Sequence, residues 1–185
     1  MMRLWLVRHA RPLVEPGVCY GALDLEADPV ATAAVARELA GTLSRSLELL
    51  VSPRRRCVQL AQALSALRLD LAWRVDERLA EMDFGRWEGR RWDDLDRREL
   101  DAWGGDFANY RAGGCGESST QFLGRVGQLL DEAILAGRDQ AWITHGGVYK
   151  ALLLRQNGVG TAAASDWPSA SLAWGQGCRF EFEPG

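Results

Sequence analysis

Lysine is almost missing from this 185-residue chain: of 22 basic residues only Lys150 is lysine and the other 21 are arginine. Its cations are therefore nearly all planar, permanently charged groups suited to holding oxyanions. Histidine is just as scarce, with two copies, His9 and His145. The four cysteines, Cys19, Cys57, Cys115 and Cys178, contain no CxxC pair, so a disulfide framework is not expected. None of them has an arginine six positions later, which excludes the phosphatase loop built on a cysteine nucleophile. No Gly-Lys pair occurs and no GxGxxG run follows a strand, which removes the P-loop and the dinucleotide fingerprint. With no cysteine or carboxylate near either histidine at ligand spacing, a zinc site is disfavoured and no cofactor is expected. Long apolar runs are absent too: nothing approaches the ~18 residues of a membrane span. Arg8 and His9 interrupt the apolar start Met1–Val7 before a secretory signal can form. A cytoplasmic protein with reduced thiols is the expectation. The net charge of −3 and pI near 5.5 supply no electrostatic reason to seek nucleic acid or an anionic membrane.

What is present is an ordinary globular balance, 47% hydrophobic and 25% charged, of a length that suits one domain over residues 1–185. Leu4–Val7 is a short apolar run of the kind covered on both faces. A helix is predicted from Pro29 to about Leu43, a second strand over Leu47–Val51, and a third around Leu71–Val75. Ser52-Pro53 reads as a helix cap and first-turn proline ahead of Val58, Leu60, Ala61 and Leu64. A long helix follows Gly116-Glu117-Ser118 and runs through Ile134. The fourth strand, Ala141–Thr144, leads through His145 and Gly146-Gly147 into an apolar helix over Val148–Leu154. Ser171–Phe182 reads as one or two strands around Gly175-Gln176-Gly177. The order implies an α/β fold, a three-layer sandwich whose mostly parallel sheet carries helices on both faces.

Each histidine sits where a buried strand runs out, and in open α/β sheets ligands bind at the carboxyl ends of strands. Residues more than a hundred positions apart can so converge on one site, the alternative being two histidines simply hydrogen-bonded near the core. Ser52-Pro53-Arg54-Arg55-Arg56 places three cations where a helix N-terminus already disfavours them, so an anion should sit there. Arg56 is the choice for the inward-facing one, with one or two of the others left on a solvated surface. Gly146, with Gly147 behind it, lets the backbone approach an oxyanion at a helix start. Glu81 lies between apolar and aromatic neighbours that suit a carboxyl group to general acid work, with Asp83 and Glu88 as competitors.

Taken together, Leu6-Val7-Arg8-His9-Ala10, Ser52-Pro53-Arg54-Arg55-Arg56, Glu81 with Phe84-Gly85-Arg86-Trp87-Glu88-Gly89, Gly116-Glu117-Ser118 and Thr144-His145-Gly146-Gly147 resemble the histidine phosphatase superfamily, in the branch that includes phosphoglycerate mutases. The resemblance implies a metal-independent phosphomonoesterase acting on a small phosphorylated metabolite. By position it makes His9 the nucleophile, Arg8, Arg56 and protonated His145 the phosphate pocket, and Glu81 the proton donor. Ala10 stands where glycine is usual, and Arg11-Pro12 where Glu-Thr or Glu-Ser often follows, a change on the expected leaving-group side. The loop Val18–Asp24 and the Arg56-Cys57 pair are similar to α-ribazole phosphatases of cobalamin synthesis, which places Tyr20 and Gly21 at the substrate. A broad-specificity phosphatase and a mutase share the same residues, and a silent phosphate-binding domain is the remaining alternative.

Overall fold

The computed structural model describes residues 1–45 and 47–183. Its strands are β1 (Met2–Arg8), β2 (Glu48–Val51), β3 (Trp73–Val75), β4 (Gln140–Thr144) and β5 (Gly177–Phe182). The helices are α1 (Pro29–Thr42), α2 (Arg55–Leu67), α3 (Arg97–Gly105), α4 (Ser119–Ala136) and α5 (Gly146–Gln156). One five-stranded sheet runs β3-β2-β4-β1-β5, parallel except for β5, which pairs antiparallel with β1 at the edge.

Side chains alternate across the strands and fill two cores. Leu4, Leu6, Leu50 and Trp142 face α4 and α5, with Phe122, Val126, Leu130, Val148 and Leu152. Val7, Leu49, Val51, Ala141 and Ile143 face the other way, against Ala36 and Leu39 of α1 and Cys57, Leu60, Ala61 and Leu64 of α2. Helices thus cover both faces, and the expected three layers are found. No helix among the described residues is long and apolar enough to cross a membrane.

Local chemistry sets the helix ends. The Asp28 carboxylate accepts from Ala31 N–H with Pro29 in the first turn of α1, and Ser118 and Gln121 form a reciprocal cap on α4. One cap departs from expectation: α2 begins at Arg55 behind Arg54, with no side-chain cap. Ser52 is two residues too early, because the cap position falls on Arg54, and its hydroxyl is used elsewhere. β3 is shorter than expected, since Leu71 is buried in the preceding loop rather than paired. The tail holds one strand, β5. Residues 171–176 instead fold against the end of β1, where Gly175 N–H donates to the carbonyls of Arg8 and His9 and Arg8 N–H donates to Gln176. Gly175 turns at φ +76°, a backbone conformation that favours glycine.

Candidate active site

Three adjacent parallel strands, β1, β4 and β2, end at one level, and the residue after each is His9, His145 or Ser52. Pairing of Arg8 with Thr144 forces His9 and His145 side by side, with ring centroids 5.1 Å apart. Both rings are buried. The convergence expected from strand ends is therefore present, built by register alone.

The hydrogen bonds fix which ring nitrogen does what. His9 Nδ1 lies 2.7 Å from the carbonyl oxygen of Ala10; a carbonyl can only accept, so Nδ1 carries the proton and Nε2 keeps its lone pair. Arg56 Nε–H donates to that nitrogen at 3.3 Å. Burial, and then the Arg56 charge, lower the His9 pKa to about 3, which keeps the ring neutral at ordinary pH. No described non-glycine residue has positive φ, so alanine at position 10 needs no special backbone.

His145 Nε2 lies 2.7 Å from Ser52 Oγ, while its Nδ1 is buried with no partner in the protein. Arg54 N–H donates to the same hydroxyl at 3.4 Å. Burial, followed by the charge of Arg56, pushes the His145 pKa well down. This corrects the expectation of a protonated His145: the surrounding protein favours a neutral ring. If the Ser52 hydroxyl donates to Nε2, the ring proton sits on Nδ1, where it can meet an oxyanion.

Arg56, from the first turn of α2, is fully buried, as expected of the inward cation. Its terminal nitrogens donate to the carbonyls of Gly21 and Leu23, both at 2.8 Å. Arg55 projects outward to Glu26. Arg54 is half-buried, its Nε without a partner, so the site contains a further arginine that sequence reading left unresolved. Arg8 donates to the Leu172 carbonyl at 2.6 Å and packs beside Gly146, where an added Cβ would come within 3.3 Å of the guanidinium carbon.

Glu81 arrives from the loop after β3. Its Oε2 accepts from Gly147 N–H at the start of α5 at 3.0 Å. A Cβ on Gly147 would fall 2.0 Å from Glu81 Oε1, so only glycine admits the carboxylate. The competitors are otherwise engaged: Asp83 accepts from Gly85 N–H, and Glu88 accepts from four backbone N–H groups. The Glu81 segment is itself clamped. Arg125 donates to the carbonyls of Arg78, Ala80 and Glu81 and pairs with Glu117, and Glu117 accepts from Asp83 N–H. That use of Glu117 explains the Gly116-Glu117-Ser118 motif.

Beside Glu81 opens a cavity of about 370 Å³, with Arg8, Glu81, Gly146 and Gly147 at one end and Phe84, Trp92, Trp103, Phe107 and Trp167 along its walls. Lys150 also lines it. Its ammonium lies 6.0 Å from the Trp167 ring, forms no ion pair among the described residues, and has its pKa lowered by burial. Tyr20 does not reach this cavity. Its ring lies 5.3 Å from the Arg56 guanidinium and lines a separate open groove with Arg11, Pro12 and Trp174. Gly21 is buried structure: a Cβ there would stand 1.8 Å from the Met82 carbonyl oxygen. The aromatic cavity is what sequence reading missed; the tryptophan-rich segment from Glu81 to Trp92 was its visible signal.

Cys57 lies under the site, its sulfur 3.6 Å from His145 Nε2, but burial pushes its pKa up to about 12, which makes it an inert thiol.

Comparison with known proteins places this arrangement. The model of the histidine phosphatase superfamily (branch 1) matches residues 4–179. A Hydrogenobacter thermophilus protein provisionally named phosphoserine phosphatase 2 is 31% identical over 172 residues, 86% of this chain and 81% of the relative. The crystal structure of TTHB049 from Thermus thermophilus has a TM-score of 0.74 at 30% identity, covering 98% of this chain and 94% of that one. The α-ribazole phosphatase of Shigella flexneri has a TM-score of 0.80 at 25% identity, covering 98% and 91%. A mycobacterial glucosyl-3-phosphoglycerate phosphatase has a TM-score of 0.77 at 25% identity, covering 96% and 89%.

Proposed function

The chain belongs to branch 1 of the histidine phosphatase superfamily, and from that premise we propose that this phosphoric monoester hydrolase works through a phosphohistidine on His9, without a metal. The observation that carries the reading is the His9 tautomer: Nδ1 donates its proton to the Ala10 carbonyl, leaving Nε2 with its lone pair, beside the Arg56 guanidinium.

In the first step the His9 Nε2 lone pair forms a bond to phosphorus as the bond to the leaving-group oxygen breaks. Arg8, Arg56 and the Nδ1–H of His145 hold the equatorial oxygens, whose charge is stabilised by preset donors. The departing alkoxide takes a proton from the Glu81 carboxylic acid, which becomes a carboxylate. Water then attacks phosphorus from the vacated side, Glu81 takes its proton back, and the N–P bond breaks to release inorganic phosphate and restore His9.

For the substrate we propose α-ribazole 5′-phosphate, or the corresponding cobalamin phosphate, in a cytoplasmic cobalamin pathway. Support comes from the aromatic cavity beside Glu81, whose tryptophans suit a flat ring system, and from the likeness to the Shigella α-ribazole phosphatase. One observation favours a second reading, a leaving group that bears a carboxylate: Lys150, the lone lysine, lines that cavity with no ion pair among the described residues. The names of the Hydrogenobacter and mycobacterial relatives are in keeping with this.

The test is rapid quenching without acid during turnover in the presence of chelator. An adduct on His9, labile to acid and stable to base, is expected, and His9→Ala abolishes it. Label on a serine or cysteine, or near-normal turnover by His9→Ala, refutes the mechanism. The two substrate readings are separated by comparing kcat/KM for α-ribazole 5′-phosphate, phosphoserine and 3-phosphoglycerate. A preference of tenfold or more for a small carboxylated ester, about 1.4 kcal/mol, rejects the α-ribazole assignment alone.

A further inference from the structure

Glu88 has no contact with the histidines, yet its carboxylate is among the most heavily used side chains in the molecule. Oε2 accepts from Gly21 N–H at 2.9 Å and Leu23 N–H at 3.0 Å. Oε1 accepts from Ala22 N–H and Phe84 N–H, both at 2.9 Å. The loop so gripped presents its opposite polar edge to Arg56, through the carbonyls of Gly21 and Leu23. Glu88 and Arg56 thus face each other across one strip of backbone, the carboxylate on its N–H side and the guanidinium on its C=O side.

That arrangement solves an electrostatic problem. A fully buried arginine needs compensation, because an uncompensated buried cation is costly. A carboxylate in direct contact would satisfy it but would compete with a phosphate for the same donors. Peptide groups placed between the two transmit the compensation, since a hydrogen bond to the N–H of a peptide chain strengthens acceptance by its carbonyls. The guanidinium is held by both terminal nitrogens, while its Nε–H stays directed at His9 Nε2. The bond to Phe84 N–H ties this strip to the segment that carries Glu81.

We infer that Glu88 is a positioning residue for phosphate transfer, acting on the anion through the 21–23 loop and Arg56. The inference rests on the phosphohistidine reading above and adds to it the group that aims its buried arginine. Glu88→Gln keeps the shape and one acceptor oxygen while removing the charge and half the acceptor set. It is expected to lower kcat/KM about tenfold or more and to weaken inhibition by inorganic phosphate by a similar factor.

A merely structural glutamate would also lower activity, so the deciding measurement is a double-mutant cycle. If Glu88 works through Arg56, the same Glu88→Gln change costs less than threefold in an Arg56→Gln background, measured as phosphate inhibition and as turnover of an activated aryl phosphate. Glu88→Asp, which keeps the charge but shortens the reach, shows an intermediate loss with the same non-additivity and supplies the cycle if the glutamine variant does not fold. Equal losses in the two backgrounds overturn the inference. If Arg56→Gln alone alters neither phosphate inhibition nor turnover, the phosphate-pocket reading falls with it, an outcome distinct from failure of the Glu88 cycle.

Discussion

Ser52 Oγ and His145 Nε2 stand 2.7 Å apart, and a hydroxyl that donates across this contact leaves the His145 proton on Nδ1. Ser52→Ala removes the hydroxyl and leaves the buried Nε2 with only the Cys57 sulfur at 3.6 Å, a loss of about 1–3 kcal/mol for a poorly satisfied buried group. The ring is then free to carry its proton on either nitrogen. The expected result is a kcat/KM roughly ten- to a hundredfold lower. Ring ¹⁵N spectra provide the check: wild type shows a protonated Nδ1 on His145, and the variant shows a mixture. A spectrum unchanged by the substitution refutes the assignment.

Glu81→Gln keeps the shape but cannot donate a proton. Esters with alkoxide leaving groups should slow by a factor on the order of 10²–10⁴, and aryl phosphates far less in the phosphorylation step. Gly147→Ala should imitate this leaving-group dependence, because its new Cβ occupies the space of the Glu81 carboxylate. Equal losses on leaving groups of very different pKa, with phosphorylation limiting both, would transfer the acid role elsewhere.

Acid should act on this protein through its histidines. The His9 pKa is about 3 in the folded chain against 6.5 unfolded, so between these values the unfolded chain binds the extra proton. Stability from this group is complete above pH 6.5 and falls as pH drops toward 3. His145 is shifted in the same direction. Denaturant midpoints are therefore expected to fall from pH 7 to pH 5, while the His9 ring signals of the native protein stay constant from pH 8 to pH 5. A His9 titration near 6.5 would contradict the burial and charge described here.

Lys150→Met separates the two substrate readings at the level of one side chain. If the leaving group bears a carboxylate, kcat/KM for such esters should drop about tenfold or more, about 1.4 kcal/mol, and for uncharged leaving groups by a smaller factor. Equal losses for both classes would leave Lys150 without a role in discrimination.

Much of the site could be read in the sequence because parallel strands deliver residues to a common level. Leu4–Val7 and Ala141–Thr144 are apolar runs whose next polar residues include His9 and His145, and adjacency of the two strands does the rest. Arg56 was legible from the oddity of cations at a helix start. What stayed hidden depends on loops whose backbone satisfies itself over long sequence separations. Glu88 looked like a rival acid because its four N–H partners come from residues 21–23 and 84, a pairing no local pattern encodes. Ser52 looked like a cap because its spacing from the helix suited one. Tyr20 is expected at the substrate, yet it lies beside Arg56 and lines a different groove, and the aromatic walls near Glu81 come from residues 84–107 and 167. Charged helical stretches are expected after Trp92, but the bounds of α3 are not legible because it is short, charged and without a buried residue.

The docking of residues 171–176 on the end of β1 orders events during synthesis. Arg8 and His9 leave the ribosome well before residues 171–176, but their carbonyls are satisfied by Gly175, and the Arg8 guanidinium is held by Leu172. The end of β1 therefore waits for residues made much later before it can be fixed, as does its pairing with both neighbours, β4 and β5. A nascent chain stopped between His145 and this segment holds both histidine-bearing motifs yet lacks the contacts that fix Arg8 and the end of β1. Such a chain is therefore expected to hydrolyse phosphoesters only once residues 171–176 have docked.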